Sequence, residues 1–518
     1  MAMKITYSTM SADNEELHTA YEAGIEAAKA MLGKTHPFYV DGEARTTENT
    51  YEERSPIDSD IVIGRYSQAT PRDVDDAVKA AKAFQPTWAA TPWQDRIALL
   101  EKAGDILEER QFEMSALIAY EVGKSRLEAL GDVAETVEFF RYHSSQVKAN
   151  DGYVRTLGQL SPQEKNVSVM RPHGVWGVIS PFNFPFALAA GPTIAALATG
   201  NTVVLKPSNM GALAGLELYR VLMDAGIPAA AVHVLTGAGS LAGDALTKHP
   251  DVDGFTFTGS YDVGMSIFHG FSTRVPKPVI AEMGGKNPAI VTKTADLDAA
   301  ADGVLRGAFG FQGQKCSATS RVYVEREAYD DFVDKLVSKA GGLTVGNPLD
   351  RSTYMGPVID DRTVDRFRES VTEVEDSGGT VLFGGKVLDE GDLSKGNFVE
   401  PTVVTAPMDS WVWSRELFMP FVVVGPVDSL DEAIERANDT EYGLTAGIFA
   451  GTQEEVDAFF DRIEAGVTYA NRRAGATTGA WPGIQSFGGW KGSGTTGTGF
   501  SPWYVRQYMR EQSRTIVE

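Results

Sequence analysis

The sequence predicts an α/β protein with two lobes. Between residues 175 and 285, short runs rich in β-branched residues alternate with helical segments. This alternation is typical of βαβ units and of a parallel sheet covered on both faces. A second mixture of strands and helices fills residues 289–480. Because 518 residues exceed the usual size of one hydrophobic core, we expect at least two domains.

The N-terminal part is predicted to be mainly helical. Residues 11–33 have acidic residues early and a glycine stop at Gly33, and residues 70–145 have apolar residues at three- and four-residue spacing. Between these helices, residues 36–43 predict a strand that enters a tight turn at Asp41 and Gly42.

The alternating region is predicted element by element. Its strands are expected at 175–180, 202–207, 232–237, 254–260 and 278–285, and its helices at 187–199, 211–225, near 240–248 and at 261–270. Such sheets bind ligands at the carboxyl ends of their strands. The dinucleotide fingerprint G-x-G-x-x-G is absent from this region. Gly259 and Gly264 open a helix whose first amides suit a phosphate, although simple glycine turns explain them equally well.

Two further segments differ from the lobes. Residues 151–172 are polar, with a strand-like stretch at 166–171, and form an excursion from the main domain. The tail, residues 487–518, is rich in Gly and Thr and then becomes aromatic and amphipathic. We expect this tail to dock on a partner subunit.

Charge and composition exclude several classes of protein. A net charge of −23 argues against a nucleic-acid partner, because phosphate binding requires a basic face. The acidic surface indicates either ordinary solvation or adaptation to high salt. The uncharged run 174–205 is interrupted by prolines and asparagines, so we expect a buried core and no membrane span. A single cysteine and the absence of an apolar leader predict a reducing, cytoplasmic location.

The single cysteine, Cys316, and Glu282 are the candidate nucleophile and base. Glu282 precedes a Gly-rich turn, where a merely solvated carboxylate would be unusual, although an inert buried thiol is the common alternative. All seven histidines precede Cys316, which excludes the papain order, and the residues around Cys316 do not match caspases. HExxH and CxxC are absent, so we expect no metal site. A thiol with a carboxylate suits a two-stage reaction that later activates water.

A set of motifs in fixed order resembles the NAD(P)-dependent aldehyde dehydrogenase superfamily from about residue 36 to 510. The motifs are SPFNFP (180–185), TVVLKPS (202–208), FTGS (257–260), EMGGKNP (282–288), GQKCSA (313–318), ELF (416–418) and YGLTAGIF (442–449). The resemblance implies a Rossmann-type cofactor-binding domain at 1–150 and 171–285 and an α/β catalytic domain at 286–486. It also implies a small β oligomerisation arm with the tail, at 151–170 and 487–518, and hence a homodimer or an assembly of dimers.

The resemblance also implies a role for each matching residue. Cys316 attacks the aldehyde, the Asn183 amide and the Cys316 backbone N–H stabilise the oxyanion, and Glu282 activates the hydrolytic water. The residues implied for cofactor binding are Ser180, Phe182, Lys206, Ser208, Asn209, Gly259, Ser260, Glu416 and Phe418. Many NAD-preferring members have Glu where this chain has Asn209, so the sequence allows NADP as well as NAD. Met419 replaces a usual glycine beside the expected nicotinamide ribose.

Within the superfamily, the chain most resembles members that oxidise L-glutamate γ-semialdehyde. The matching features are the N-terminal helix, YEVGK (120–124), FGFQGQKCSA (309–318) and TGAWPGIQSFGG (478–489). The resemblance implies that Phe184 and Phe487 flank the substrate, that Ser317, Gly479 and Ala480 bind its α-carboxylate, and that Glu128 meets its α-ammonium. Succinate and 2-oxoglutarate semialdehydes are the alternative substrates, and a noncatalytic binding relative is the alternative from another class.

Overall fold

The computed structural model describes residues 14–473, 478 and 480–518. This part of the chain has the predicted α/β architecture. The helices, numbered in chain order, are α1 (Glu15–Lys29), α2 (Pro71–Ala90), α3 (Trp93–Glu109), α4 (Gln111–Val122), α5 (Arg126–Ala149), α6 (Ala187–Ala198), α7 (Ala212–Ala225), α8 (Asp244–Thr247), α9 (Tyr261–Phe271), α10 (Leu297–Phe309), α11 (Tyr329–Gly341), α12 (Asp361–Asp376), α13 (Leu430–Asn438) and α14 (Gln453–Arg462).

The strands form two large sheets and three small ones. In chain order they are β1 (Lys34–His36), β2 (Phe38–Val40), β3 (Glu43–Arg45), β4 (Thr50–Arg54), β5 (Val62–Ser67), β6 (Val154–Thr156), β7 (Glu164–Pro172), β8 (Val175–Ile179), β9 (Thr202–Lys206), β10 (Val232–Val234), β11 (Gly254–Thr258), β12 (Val279–Glu282), β13 (Asn287–Val291), β14 (Thr319–Glu325), β15 (Thr380–Phe383), β16 (Thr402–Thr405), β17 (Phe421–Val427), β18 (Tyr442–Gly443), β19 (Thr445–Phe449), β20 (Val467–Ala470), β21 (Trp490–Lys491) and β22 (Met509–Val517).

The first large sheet has the order β12-β11-β8-β9-β10-β2-β3. Its five strands from β8 to β12 are parallel, as predicted. Both faces are covered: Val203 and Leu205 of β9 enter one core, whereas Val204 between them enters another. The sheet is not parallel throughout, because β2 and β3 add to it antiparallel. The predicted turn, with φ of 52° at Asp41 and 77° at Gly42, folds these two strands back on each other.

The second large sheet has the order β15-β16-β17-β14-β13-β19-β20 and contains strands from residues 287–470 only. All its neighbouring strands are parallel except β15 and β16. Alternate residues of β14 again enter different cores, with Val322 and Val324 on one face and Tyr323 on the other. The second lobe is therefore a separate α/β layer structure, as the sequence predicted.

The excursion and the tail meet in a third sheet of order β22-β7-β6. The antiparallel register of β7 and β22 runs from Pro172 opposite Met509 to Glu164 opposite Val517. Most of β22 is exposed, since Met509 alone of its residues is buried. In the part of the chain that the structure covers, no helix is long and apolar enough to cross a bilayer.

Candidate active site

The loop that carries the thiol, residues 310–318, is tightly wound between α10 and β14. Three successive residues are left-handed, with φ of 48° at Phe311, 55° at Gln312 and 66° at Gly313. For the two non-glycine residues this conformation costs about 1–3 kcal/mol each, so surrounding contacts must hold it. One such contact is the buried Gln312 side chain, whose Nε2 donates to the carbonyl oxygens of Gly123 and Pro357 at 2.9 and 2.6 Å.

Asn287, at the start of β13, holds the backbone of Cys316 in place. Its Nδ2 donates to the backbone oxygens of Cys316 and Ala318 at 2.7 and 2.9 Å, and its Oδ1 accepts from Thr445 N at 3.0 Å. Gly285 must be a glycine here, because a Cβ would lie 2.7 Å from the Cys316 carbonyl oxygen. The Gly-Gly-Lys-Asn motif therefore serves the nucleophile loop as well as the base.

Cys316 is half-buried and free of any disulfide. Burial raises the pKa of its thiol to about 12, and the carboxyl groups of Glu416 and Glu282 add to the rise. The backbone N–H groups of Ser317 and Cys316 act in the opposite direction, because they donate toward the sulfur. The resting thiol is therefore protonated, and a base or a bound positive charge must help to form the thiolate.

Glu282 is the last residue of β12, and one of its two carboxyl oxygens accepts a hydrogen bond. Its Oε2 accepts from the backbone N–H of Gly489 at 3.1 Å, whereas Oε1 is buried without a hydrogen-bond partner. Burial raises the pKa of this carboxyl to about 8, and the Gly489 hydrogen bond opposes the rise. A carboxylate with a pKa this close to neutrality suits general-base catalysis.

Asn183 lies in the loop after β8 and is buried. Its Nδ2 donates to the backbone oxygen of Gln314 at 3.1 Å, which brings the amide against the thiol loop. A side-chain amide carries two N–H donors, so one remains for an oxyanion. The structure thus brings Asn183, Glu282 and the Cys316 loop together at the carboxyl ends of β8 and β12.

The strand order of the first sheet reverses between β8 and β11, which is where such sheets bind dinucleotides, and several predicted cofactor residues follow the carboxyl ends of its strands. Ser180 Oγ and Asn209 Oδ1 are buried there without partners. Ser260 begins α9 without a side-chain cap, which leaves the first amides of this helix for a phosphate. Buried Lys206 Nζ donates to the Pro207 carbonyl oxygen at 3.0 Å, and burial lowers its pKa to about 8. Unsatisfied polar groups and a free helix N-terminus fit a dinucleotide.

Two other predicted cofactor residues, Glu416 and Phe418, contact the segments that follow β12 and β8. Glu416 Oε1 accepts from Gly285 N at 2.8 Å, and burial raises its pKa to about 7. Phe418, with a left-handed φ of 57°, packs edge-on against Phe182 with ring centroids 6.0 Å apart. Two predicted residues serve the local fold: Ser208 Oγ accepts from Met210 N at 3.3 Å, and a Cβ on Gly259 would collide with the Phe257 ring.

The predicted substrate residues fall in several places. Phe184 packs edge-on against Phe311 at 6.4 Å, and Phe487 stacks on Phe500 at 5.6 Å. Half-buried Ser317 directly follows the thiol. The Ala480 N–H, predicted as a carboxylate donor, donates to Thr478 Oγ1 at 3.2 Å in this conformation. Gly479 lies outside the described residues.

Glu128, predicted to bind the substrate's α-ammonium, instead forms an ion pair with a lysine of the protein. Lys315 Nζ donates to Glu128 Oε1 at 2.7 Å, and despite burial the two lysines Lys315 and Lys124 lower the pKa of this carboxyl. Two turns further along α5, half-buried Glu135 has no hydrogen bond or ion pair among the described residues. Burial and the nearby Asp132 raise its pKa to about 8. Sequence reasoning missed Glu135, although the i, i+4, i+7 spacing of these acids on one helix face was visible.

Within residues 14–473, 478 and 480–518, no group of three or more His, Cys, Asp or Glu side chains has the arrangement of a metal site. The residues gathered around Cys316 are instead a thiol, carboxyl groups and an amide. Such groups support covalent and acid–base chemistry on a carbonyl compound.

Comparisons with known proteins agree with this geometry. The model described as "Aldehyde dehydrogenase family" matches residues 43–513. The 1-pyrroline-5-carboxylate dehydrogenase of Geobacillus sp. (strain WCH70) is 38% identical over 506 residues, which cover 96% of each chain. A solved 1-pyrroline-5-carboxylate dehydrogenase from Thermus with bound NAD has a TM-score of 0.94 at 33% identity, covering 100% of this chain and 99% of that one. A betaine aldehyde dehydrogenase from Staphylococcus aureus in complex with NAD+ is 27% identical with a TM-score of 0.90, covering 96% of this chain and 97% of that one.

Proposed function

This chain belongs to the aldehyde dehydrogenase family, and from that premise we propose that it oxidises L-glutamate γ-semialdehyde to L-glutamate with NAD. The observation that carries the proposal is the convergence of Cys316, Glu282 and Asn183 beside a groove suited to a dinucleotide. The substrate named for the relatives, 1-pyrroline-5-carboxylate, is the cyclic imine of this semialdehyde. Hydrolytic opening of the ring gives the free aldehyde that a thiol attacks.

The first half of the reaction forms a covalent intermediate. Cys316 releases its thiol proton to solvent, and the Sγ thiolate then bonds to the aldehyde carbon. The carbonyl oxygen becomes an oxyanion that accepts hydrogen bonds from Asn183 Nδ2 and the Cys316 N–H. NAD, when bound, supplies the hydride acceptor. Loss of hydride and return of the oxyanion to a carbonyl leave a thioester on Cys316.

The second half releases the product. Glu282 takes a proton from a water molecule, which attacks the thioester carbon and expels the Cys316 thiolate as L-glutamate forms. The unpartnered Oε1 of Glu282 is the atom placed to accept this proton. The base is half ionised at its pKa of about 8, so its ionised fraction, and with it the rate of hydrolysis, rises as the pH passes through that value.

Recognition of the α-ammonium falls to Glu135 in this account, in place of Glu128. The charge cluster on α5 contains three carboxyl groups, those of buried Asp132 and half-buried Glu128 and Glu135, and two buried cations, Lys124 and Lys315. An arriving ammonium supplies the missing positive charge and favours the ionised form of Glu135. Succinate and 2-oxoglutarate semialdehydes lack an α-ammonium and leave the imbalance in place.

For the other substrate and cofactor contacts, we keep the residues that the sequence predicted. Phe184 and Phe487 flank the aliphatic chain, and Ser317 Oγ with the amides of Gly479 and Ala480 binds the α-carboxylate once the loop turns its N–H groups inward.

For NAD, the contacts proposed are Ser180, Phe182, Ser208, Asn209 and Gly259 along the groove, Lys206 on the adenosine ribose, Ser260 on the pyrophosphate, and Glu416 with Phe418 at the nicotinamide ribose. NADP is the second cofactor to test, because Asn209 carries no charge to repel a 2′-phosphate.

The domain division, assembly and location complete the proposal. The division at 1–150 with 171–285, 286–486, and 151–170 with 487–518 gives each large sheet its own domain. The exposed β7–β22 arm supports a homodimer or an assembly of dimers, since a long strand edge with few buried residues favours pairing. A lone reactive thiol suits a reducing cytoplasm.

Replacing Asn183 with alanine is expected to lower kcat about 10²–10³-fold, the usual effect of losing one oxyanion donor. The KM should change little, because the donor acts on charge that develops during the reaction. Steady-state kinetics measure both constants, and thermal melting controls for the lost bond to Gln314. An unchanged kcat in a folded variant would remove Asn183 from the oxyanion site.

Replacing Glu135 with glutamine is expected to raise KM for glutamate γ-semialdehyde by about 10-fold or more, as the loss of one charge-assisted contact implies. The matched control is Glu138→Gln, an acid on the same helix whose partner, Arg141, is partly exposed. A panel of glutamate, succinate and 2-oxoglutarate semialdehydes, run with NAD and NADP, measures the effect. The wild type should prefer the first substrate, and Glu135→Gln should erase that preference. Equal use of all three by the wild type would refute the proposed substrate.

A further inference from the structure

Two ion pairs lie one turn apart on α5, and neither has been assigned a chemical step in the reaction described above. Lys124 Nζ lies 3.0 Å from Asp132 Oδ2, and both side chains are fully buried. Lys315 Nζ lies 2.7 Å from Glu128 Oε1, with the lysine side chain 5% and the glutamate side chain 24% exposed. Because Glu128 and Asp132 are four residues apart on a helix, they share one face of α5.

The Glu128–Lys315 pair fastens the thiol loop to this face. Lys315 is the residue immediately before the nucleophile, so its backbone sets where Cys316 stands. The pair also packs on the start of the loop, because a Cβ at Gly310 would lie 3.0 Å from Glu128 Oε1 and 3.4 Å from Lys315 Nζ. Gly310, before the left-handed residues, and Lys315, after them, are thereby both held against α5.

The Asp132–Lys124 pair fastens the loop that carries Asn183. Asp132 Oδ1 accepts from the backbone N–H of Ala187, the first residue of α6, at 2.8 Å. Lys124 Nζ lies 3.4 Å from the ring centroid of Phe184, the neighbour of Asn183, and 4.8 Å from that of Phe311 in the thiol loop. This one ammonium group therefore contacts both loops.

The reaction requires that the thiol loop and the Asn183 loop stay at a fixed distance from each other. The two oxyanion donors, the Asn183 amide and the Cys316 N–H, lie on different loops and must keep a fixed separation. Their direct link in the resting enzyme is the bond from Asn183 Nδ2 to the Gln314 carbonyl oxygen. That single hydrogen bond joins the two loops at one point only, so further contacts are needed to fix their separation. A buried charge cluster is costly to form but directional, which suits this task.

We propose that the Glu128–Lys315 and Asp132–Lys124 pairs are positioning residues that hold the thiol loop and the Asn183 loop at a fixed separation on α5. The oxyanion site is then formed before the substrate arrives. The proposal deepens the function proposed above and rests on it for the oxyanion, but its effect on the thiol is independent of any substrate.

The test replaces both members of the first pair, as Glu128→Gln with Lys315→Met, because removing one partner alone leaves a buried charge that is strongly destabilising. The matched control is Glu108→Gln with Arg141→Met, which removes a 2.6 Å pair that also involves α5 but lies away from the thiol. Three quantities are measured on each folded protein: the thermal midpoint, kcat and KM, and the rate of Cys316 alkylation by iodoacetamide against pH.

In the test variant, kcat is expected to fall while the rate of Cys316 alkylation rises. In the Glu128→Gln, Lys315→Met protein, kcat falls about 10- to 100-fold, since a small misplacement of reacting groups costs this much, while KM changes little. Alkylation at neutral pH becomes faster, because a loosened loop relieves the burial that keeps the thiol protonated. The control protein changes neither rate. A second double variant, Lys124→Met with Asp132→Asn, keeps an acceptor for Ala187 N and should repeat the pattern.

Two results would overturn the proposal. One is a folded test variant whose kcat and alkylation profile match the wild type. The other is a loss of kcat that merely follows the thermal midpoint and appears equally in the control. If the wild type does not oxidise glutamate γ-semialdehyde, the function proposed above fails, whereas a changed alkylation profile in the test variant alone still supports the fastening of the thiol loop.

Discussion

Replacing Cys316 with alanine is expected to abolish NADH formation from glutamate γ-semialdehyde, with kcat reduced by at least about 10⁴-fold, as for other covalent nucleophiles. Cys316 is the single cysteine of the chain, so no second thiol can substitute. The loss should be chemical rather than structural, because a half-buried side chain loses little packing when Sγ is removed. Absorbance of NADH at saturating substrate measures the effect.

Two controls accompany this variant. Its thermal midpoint should stay close to that of the wild type, and NAD titration followed by protein fluorescence should give a similar Kd. Retained aldehyde oxidation in Cys316→Ala would rule out a covalent mechanism. A binding protein without catalysis, the alternative from another class, would instead show no NADH formation in the wild type either.

Replacing Glu282 with glutamine is expected to separate the two halves of the reaction. Thioester formation continues and gives a burst of NADH, whereas steady turnover falls about 10²–10⁴-fold because the water lacks its base. The wild-type steady rate should rise with pH through about 8, where the Glu282 carboxyl ionises, and this rise should be missing in the variant. Stopped-flow absorbance resolves the burst from the later rate.

Glutamine is the appropriate replacement, because its side-chain oxygen can still accept from Gly489 N as Oε2 does. Ala at the same position serves as the matched variant that also loses this bond. A variant with no burst, or with an unchanged steady rate and the same pH profile, would contradict the assignment of Glu282 as the hydrolytic base.

Much of the fold was predictable because local patterns agree with the final structure. The uncharged run 174–205 became β8, α6 and β9, as its short β-branched segments and prolines indicated. The antiparallel addition of β2 and β3 was not predicted, since it depends on pairing between Tyr39 and Val234, nearly two hundred residues apart. Predicted helix 240–248 is also shorter, with a π-helical turn over 239–243 before α8.

The sequence predicted which residues form the candidate site, but not which residues they bond to. Motifs located Cys316 and Glu282, yet nothing local shows that Glu282 accepts from Gly489 or that Lys315 pairs with Glu128, because these contacts join distant segments. The acidic residue left without a partner, Glu135, is identified only when the other charges on α5 have been matched in space.

The central claim is that glutamate γ-semialdehyde becomes a thioester on Cys316. It is tested most directly by mass spectrometry of Glu282→Gln, quenched in acid after reaction with the semialdehyde and NAD. The account predicts that the peptide containing Cys316 gains the mass of one γ-glutamyl group, in amounts matching the NADH burst. NADH formation at the burst level with no modified Cys316 peptide, or with the added mass on another residue, would contradict it.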